Sequence, residues 1–129
     1  MKTSIQSLHA RRVWDSRGKP TIEAEITLEN GARGRAISPS GASTGSGEAV
    51  ERRDGGAAHG GADVTSAIAG IANTIAPGLV TLDAADQSAV DHRLIELDGT
   101  ENRSRLGGNA LIAVSMAVAH AAAAGQGVP

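Results

Sequence analysis

The sequence has no cysteine, no phenylalanine and no tyrosine, and only one tryptophan among its 129 residues. Without cysteine there are neither disulfide staples nor thiolate metal sites, a composition that suits a reducing compartment. Without Phe and Tyr the core must be built from Ala, Val, Ile and Leu, which bury less area per side chain than aromatics do. A core this light favours a partner surface. A charge bias is also missing. The 12 basic and 14 acidic residues are interspersed, for a net charge of −2, so no basic face points to nucleic acid or an anionic membrane. The opening MKTSIQSLHARR contains no apolar run of signal-peptide length. What is present is ordinary for a globular chain, 40% hydrophobic and 20% charged, and the length fits one domain over residues 1–129.

Hydrophobic period divides the chain into strands and then helices. In TIEAEITLE, residues 21–29, Ile22, Ala24, Ile26 and Leu28 alternate with Glu23, Glu25, Thr27 and Glu29, the pattern of a half-buried strand. Asn30-Gly31 then marks a hairpin. A two-residue loop would set Leu28 against Arg33 and Ile26 against Arg35. A three-residue loop, Glu29-Asn30-Gly31, instead sets Leu28 by Ala32, Ile26 by Gly34 and Glu25 by Arg35. The second register is predicted, with Gly31 at positive φ in a G1-type bulge. Residues 4–14 read as a less regular strand ending at Asp15-Ser16-Arg17-Gly18.

Beyond residue 63 the period is helical. Val64, Ile68, Ile71 and Ile75 share one face, with Asp63 as N-cap and Pro77-Gly78 as the stop. A second helix is expected from about Asp86 to Leu97, burying Val90, Leu94 and Leu97 and closed by Asp98-Gly99. A third opens at Asn109 as N-cap and runs through ALIAVSMAVAHAAAA to Gly125. It is apolar nearly all round, but shorter than the roughly 20 residues that span a bilayer. It reads as a buried helix, with His120 as a satisfied core histidine. The fold class is α+β, a three-stranded antiparallel meander followed by a helical layer.

PSGASTGSGEA, Pro39 to Ala49, sits between the strands and the helices with Glu48 as its single charge. It is no phosphate cradle, because no Lys follows Gly45 or Gly47 as a P-loop requires, and GSGEAV is one glycine short of a dinucleotide fingerprint. His9, His59, His92 and His120 lie on different elements without i,i+4 pairing, which argues against zinc; His59 reads as a solvated loop residue. Spacing assembles no nucleophile with its base and orienting group. From these residues alone, linker and mobile lid both stay open.

Longer motifs narrow the choice. VWDSRGKPTIEAEI, ISPSGASTGSGEAVERRDG, NTIAP and LIELDGTENRSRLGGNALIAVSMAVAHAAAAGQGVP, in this order and spacing, resemble the amino-terminal domain of enolase (phosphopyruvate hydratase). The resemblance implies a cytoplasmic lyase of glycolysis that reversibly dehydrates 2-phospho-D-glycerate to phosphoenolpyruvate with two Mg²⁺. It implies that Ser40, Gly41, Ala42, Ser43, Thr44 and Gly45 form a lid over substrate held in a separate barrel domain. In that lid, Ser43 gives its hydroxyl and carbonyl oxygens to the second Mg²⁺. Magnesium takes oxygen ligands in near-octahedral geometry, and Gly41, Gly45 and Gly47 give a loop the freedom to deliver one while closure excludes water. The resemblance further implies a homodimer in which Arg11 and Glu23 form ion pairs with the second subunit's barrel.

The family's Lys base, Glu acid and three carboxylate metal ligands belong to that barrel, so no catalytic residue is expected in these residues and none of the activity from them alone. GGAAHGGADV, Gly55 to Val64, departs from a longer basic and aromatic stretch of the family. Arg33 stands near aromatic positions, and Gly108 at a helix-favouring Ala. A catalytically silent folding or dimerisation module, or a degraded frame without a selected role, are the competing readings. Residues 38–47 are expected to be the least ordered internal segment, with Ser43 exposed.

Overall fold

The alternation of residues 21–29 becomes the central strand of a three-stranded antiparallel sheet. A computed structural model describes residues 3–16, 18–38, 53, 64–100 and 106–127. In it β1 (Ile5–Trp14), β2 (Pro20–Leu28) and β3 (Arg33–Ile37) lie in the order β1-β2-β3. Ile22, Ala24, Ile26 and Leu28 are fully buried on one face, while Glu23, Glu25 and Thr27 are half-buried on the other. Ile26 stands opposite Gly34, Ala24 opposite Ala36 and Glu25 opposite Arg35. The Leu28 amide donates to the Ala32 carbonyl at 2.9 Å, the Gly31 amide to the Leu28 carbonyl at 3.0 Å, and Gly31 has φ +87°. The hairpin therefore takes the three-residue register, because only that register keeps the apolar residues of both strands on one face.

The start of β1 is tied to the segment Thr81 to Ala84. The Ile5 amide donates to Leu82 at 2.8 Å, and the amides of Thr81 and Ala84 donate to Ile5 and Thr3 at 2.9 Å each. Thr3 Oγ1 donates to Asp83 Oδ1 at 2.6 Å. That bond, with another from the Ala85 amide, holds the Asp83 carboxyl below its ordinary pKa. Among the described residues Thr81 alone combines a side chain with positive φ, at +83°.

The helical period is realised in one continuous run. α1 (Thr65–Gly70), a π-helical stretch (Ile71–Ile75) and α2 (Ala76–Leu79) follow without a break, burying Ala67, Ile71, Ile75 and Leu79. Pro77-Gly78 does not stop the helix, which ends at Leu79. The Ala76 amide reaches back five residues to the Ile71 carbonyl. This widened turn lies just before Pro77, whose ring would crowd the carbonyl one regular turn back. Asp63, expected as the N-cap, lies outside the described residues; Val64 occupies the N-cap position.

α3 (Gln87–Asp98) begins as expected, with Asp86 accepting from the Ala89 amide at 3.1 Å, and ends at Gly99 with φ +70°. Val90 and Leu94 are buried, Leu97 is partly buried, and Asp98, read as part of the stop signal, is fully buried. α4 (Gly108–Gln126) is capped by Gly107 at φ +96°, not by Asn109, which is buried in the first turn. A left-handed glycine turns the chain so sharply that the helix starts earlier than the Asn signal indicates. Its far end is Gly127, at φ +72°.

α4 lies across β2 and β3. By length and composition it could cross a membrane, yet half of its most apolar window is buried inside the fold. It packs as a core helix. The approach at Gly34 is backbone to backbone: a Cβ there would lie 2.1 Å from the Ala121 nitrogen and 2.4 Å from the Ala117 oxygen. Ala117, Val118 and Ala121 take the buried side, which leaves His120 exposed rather than in the core.

Candidate functional site

The proposed lid residues Ser40, Gly41, Ala42, Ser43, Thr44 and Gly45 lie outside the described residues, as does most of the segment expected to be least ordered. Its first residue is an exception. Ser38 is 2% exposed; its amide donates to the Ile22 carbonyl at 2.8 Å, and its carbonyl accepts from Thr21 Oγ1 at 2.8 Å. Where the chain next enters the described set, Arg53 Nη1 donates to the Pro20 carbonyl at 2.9 Å. Two adjacent residues of β2, Pro20 and Thr21, thus hold the chain on both sides of residues 39–52.

Thr21 shares its parity with Glu23 and Glu25, so alternation alone places it on the open polar face. It is instead buried, 2% exposed, because its hydroxyl is consumed by Ser38. Thr21→Val keeps the shape and removes the donor. It is expected to cost about 1–3 kcal/mol, since the Ser38 carbonyl is left without it in a buried place. Urea unfolding checks this, and a change within about 0.5 kcal/mol would show the bond to be dispensable.

The open face of the sheet carries a ladder of charge. Arg11 is the register partner of Glu23 and is ion-paired to it; its Nη2 also reaches Glu25 Oε1 at 3.4 Å. Arg35 Nε lies 3.9 Å from Glu25 Oε2. The hydrogen bond that Arg11 donates to the Glu23 carboxylate raises the Arg11 pKa above its ordinary value. The two residues assigned to a subunit interface are therefore brought together within this chain, the Arg11 side chain 37% exposed and that of Glu23 16%. Pairs this accessible contribute little to stability, so exchanging partners would cost little.

A concavity of ≈ 410 Å³ lies between α3 and α4 and is mostly apolar, with Ile95, Ile112 and Met116 on its walls. Asp91 at its rim accepts from Ser115 Oγ at 2.6 Å and Gln87 Nε2 at 2.9 Å. His9 and His92 are exposed, and His92 lies 3.8 Å from Glu96. Among the described residues no group of three or more His, Cys, Asp or Glu could hold a metal ion.

The site's framework is thus a meander whose central strand grips both flanks of the Gly/Ser-rich segment, with helices packed against the opposite face. A family model described as the enolase N-terminal domain matches residues 5–129. The sheet-then-helices order is the α+β fold expected from the hydrophobic periods. With nearly its whole length matched, the chain belongs to the enolase N-terminal domain family.

Proposed function

We propose that this chain is the lid-bearing amino-terminal part of an enolase, a cytoplasmic lyase interconverting 2-phospho-D-glycerate and phosphoenolpyruvate. The observation that carries the reading is a family match that includes the whole of Pro39 to Ala49. The grip of Pro20 and Thr21 on its flanks supports it, since a lid needs fixed attachment points. In this reading Ser43 contributes one hydroxyl and one carbonyl oxygen over the substrate. Those two oxygens do not make a magnesium site, because the ion takes several oxygen ligands, carboxylates among them. Ser43 therefore does not form a self-sufficient metal centre, and in this reading proton removal and hydroxide loss fall to groups on a barrel domain. Arg11 and Glu23 would release one another to pair across a homodimer.

Adding a separately produced enolase barrel domain to the purified chain tests the proposal, with enol product followed by ultraviolet absorbance. The chain alone is expected to turn over no 2-phosphoglycerate, and the mixture to turn it over. Ser43→Ala should lower that rate by about tenfold to a hundredfold, as displaced positioning groups do. If a stable complex forms without activity, or Ser43→Ala is neutral, the lid role fails and the silent-module reading takes its place.

A further inference from the structure

Among the described residues β3 has β2 on one side and no strand on the other. The direction of its backbone groups follows from the register. Leu28 bonds Ala32 and Ser38 bonds Ile22 across the hairpin, and bonded pairs alternate along an antiparallel ladder. The groups of Gly34 and Ala36 therefore face β2, and those of Arg33, Arg35 and Ile37 point away from the sheet. Among the described residues, none of those three amides has a backbone acceptor outside the ladder. The side chains of the same three residues are exposed, Ile37 being 49% accessible and the Arg35 side chain 63%. Two clefts run along this edge. One, of ≈ 400 Å³, is lined by Glu25, Arg33, Gly34 and Arg35; the other, of ≈ 550 Å³, includes Glu23, Ile37 and His120 of α4.

We propose that the β3 edge docks an extended acidic segment of a partner protein, which adds to the sheet as a fourth strand. Acidic residues of that segment stand opposite Arg33 and Arg35, and an apolar residue stands opposite Ile37. The edge offers alternating donors and acceptors, which another polypeptide backbone matches; a phosphate backbone can only accept. Charge selects the partner. Arg33 makes no ion pair among the described residues, and Glu25 is divided between Arg11 at 3.4 Å and Arg35 at 3.9 Å. A second copy is a poor occupant, because the one antiparallel register that uses all three residues sets Arg35 against Arg35. Charges on an edge strand ward off self-pairing, and the same charges favour a strand of opposite sign. This inference does not rest on the enolase reading, and its test uses neither substrate nor metal.

The probe is a short fluorescent peptide with Val, Glu and Glu at successive alternate positions and Thr between them, so that one face of the antiparallel strand meets Ile37, Arg35 and Arg33 in turn; it is titrated against the chain and followed by anisotropy. Saturable binding is expected, weakened by about tenfold or more in Arg33→Glu/Arg35→Glu, as loss of close charge pairs does. Ile37→Pro should weaken it as well: this removes an outward-pointing amide and no ladder bond, a place where edge proline is tolerated. Two controls need no protein variant. A Lys-for-Glu peptide and a backbone N-methylated Glu peptide are both expected not to bind. The proposal is overturned by any one of three results: no saturation by about 1 mM, equal binding of the Lys peptide, or undiminished binding of the N-methylated one. Sedimentation showing that copies of the chain pair through this edge would overturn it too.

Discussion

Gly34→Ala is expected to destabilise the protein by about 3 kcal/mol or more, a large part of the about 5–15 kcal/mol that holds a typical domain folded. The added methyl carbon would stand 2.1 Å from the Ala121 nitrogen and 2.7 Å from the Ala121 Cα. These are backbone atoms in the middle of α4, so no side chain can rotate away; the helix itself must lift from the sheet. Lifting it also loosens Ala117, Val118 and Ala121, all fully buried. Gly31→Ala is the matched control. Nothing lies within 4 Å of its new carbon, and only the φ of +87° opposes the change, which costs about 1–2 kcal/mol. Urea unfolding followed by far-ultraviolet circular dichroism compares the two. A Gly34→Ala cost no greater than that of Gly31→Ala would mean that α4 rides on the sheet far more loosely than its backbone contact implies.

Asp98→Ala is expected to cost about 3 kcal/mol. Asp98 is fully buried at the carboxyl end of α3, where the helix dipole disfavours negative charge. It persists there because donors converge on it. The Leu106 amide donates at 2.7 Å, the Thr100 amide at 3.0 Å, and the Thr100 hydroxyl bonds the same carboxylate. The residue thereby ties the end of α3 to the approach to α4. Removing the carboxylate deprives Leu106, itself 2% exposed, of the acceptor its amide uses. Asp98→Asn keeps one acceptor oxygen and should recover part of the loss. Thermal and urea unfolding of both variants decide it. An Asp98→Ala protein within about 0.5 kcal/mol of the parent, the range of ordinary surface changes, would show that the connection holds without its carboxylate.

Asp98 also marks where sequence reasoning stops. Asp-Gly after a helical run is a sound stop signal, and Gly99 does take φ +70°. Nothing local reveals that the preceding carboxylate is pulled inward by amides up to eight positions further along. Asn109 misleads in a similar way: its type favours an N-cap, but Gly107 makes the turn and Asn109 is drawn inside. Pro77 was overruled by the widened turn before it. The register of the β2–β3 hairpin, by contrast, was legible. A period of two leaves a strand only two choices of face, and the Leu28–Ala32 and Ile26–Gly34 pairs admit one loop length. At the candidate site, residue types and motif order identified the family. The anchors at Pro20, Thr21, Ser38 and Arg53 went unread, because they depend on contacts between segments distant in the chain.

Trp14, half-exposed at the end of β1, gives the molecule an unusual optical property. It is the only residue among Phe, Tyr and Trp in the chain, with the Arg12 guanidinium carbon 5.0 Å from the ring centre, and its register partner is Pro20. A core without rings contributes no near-ultraviolet signal, so native emission comes wholly from this rim. Pro20 is also the residue whose carbonyl receives Arg53. The natural fluorophore therefore stands next to an anchor of the Gly/Ser-rich segment, and its spectrum can follow events at that anchor without a label and without background from the interior.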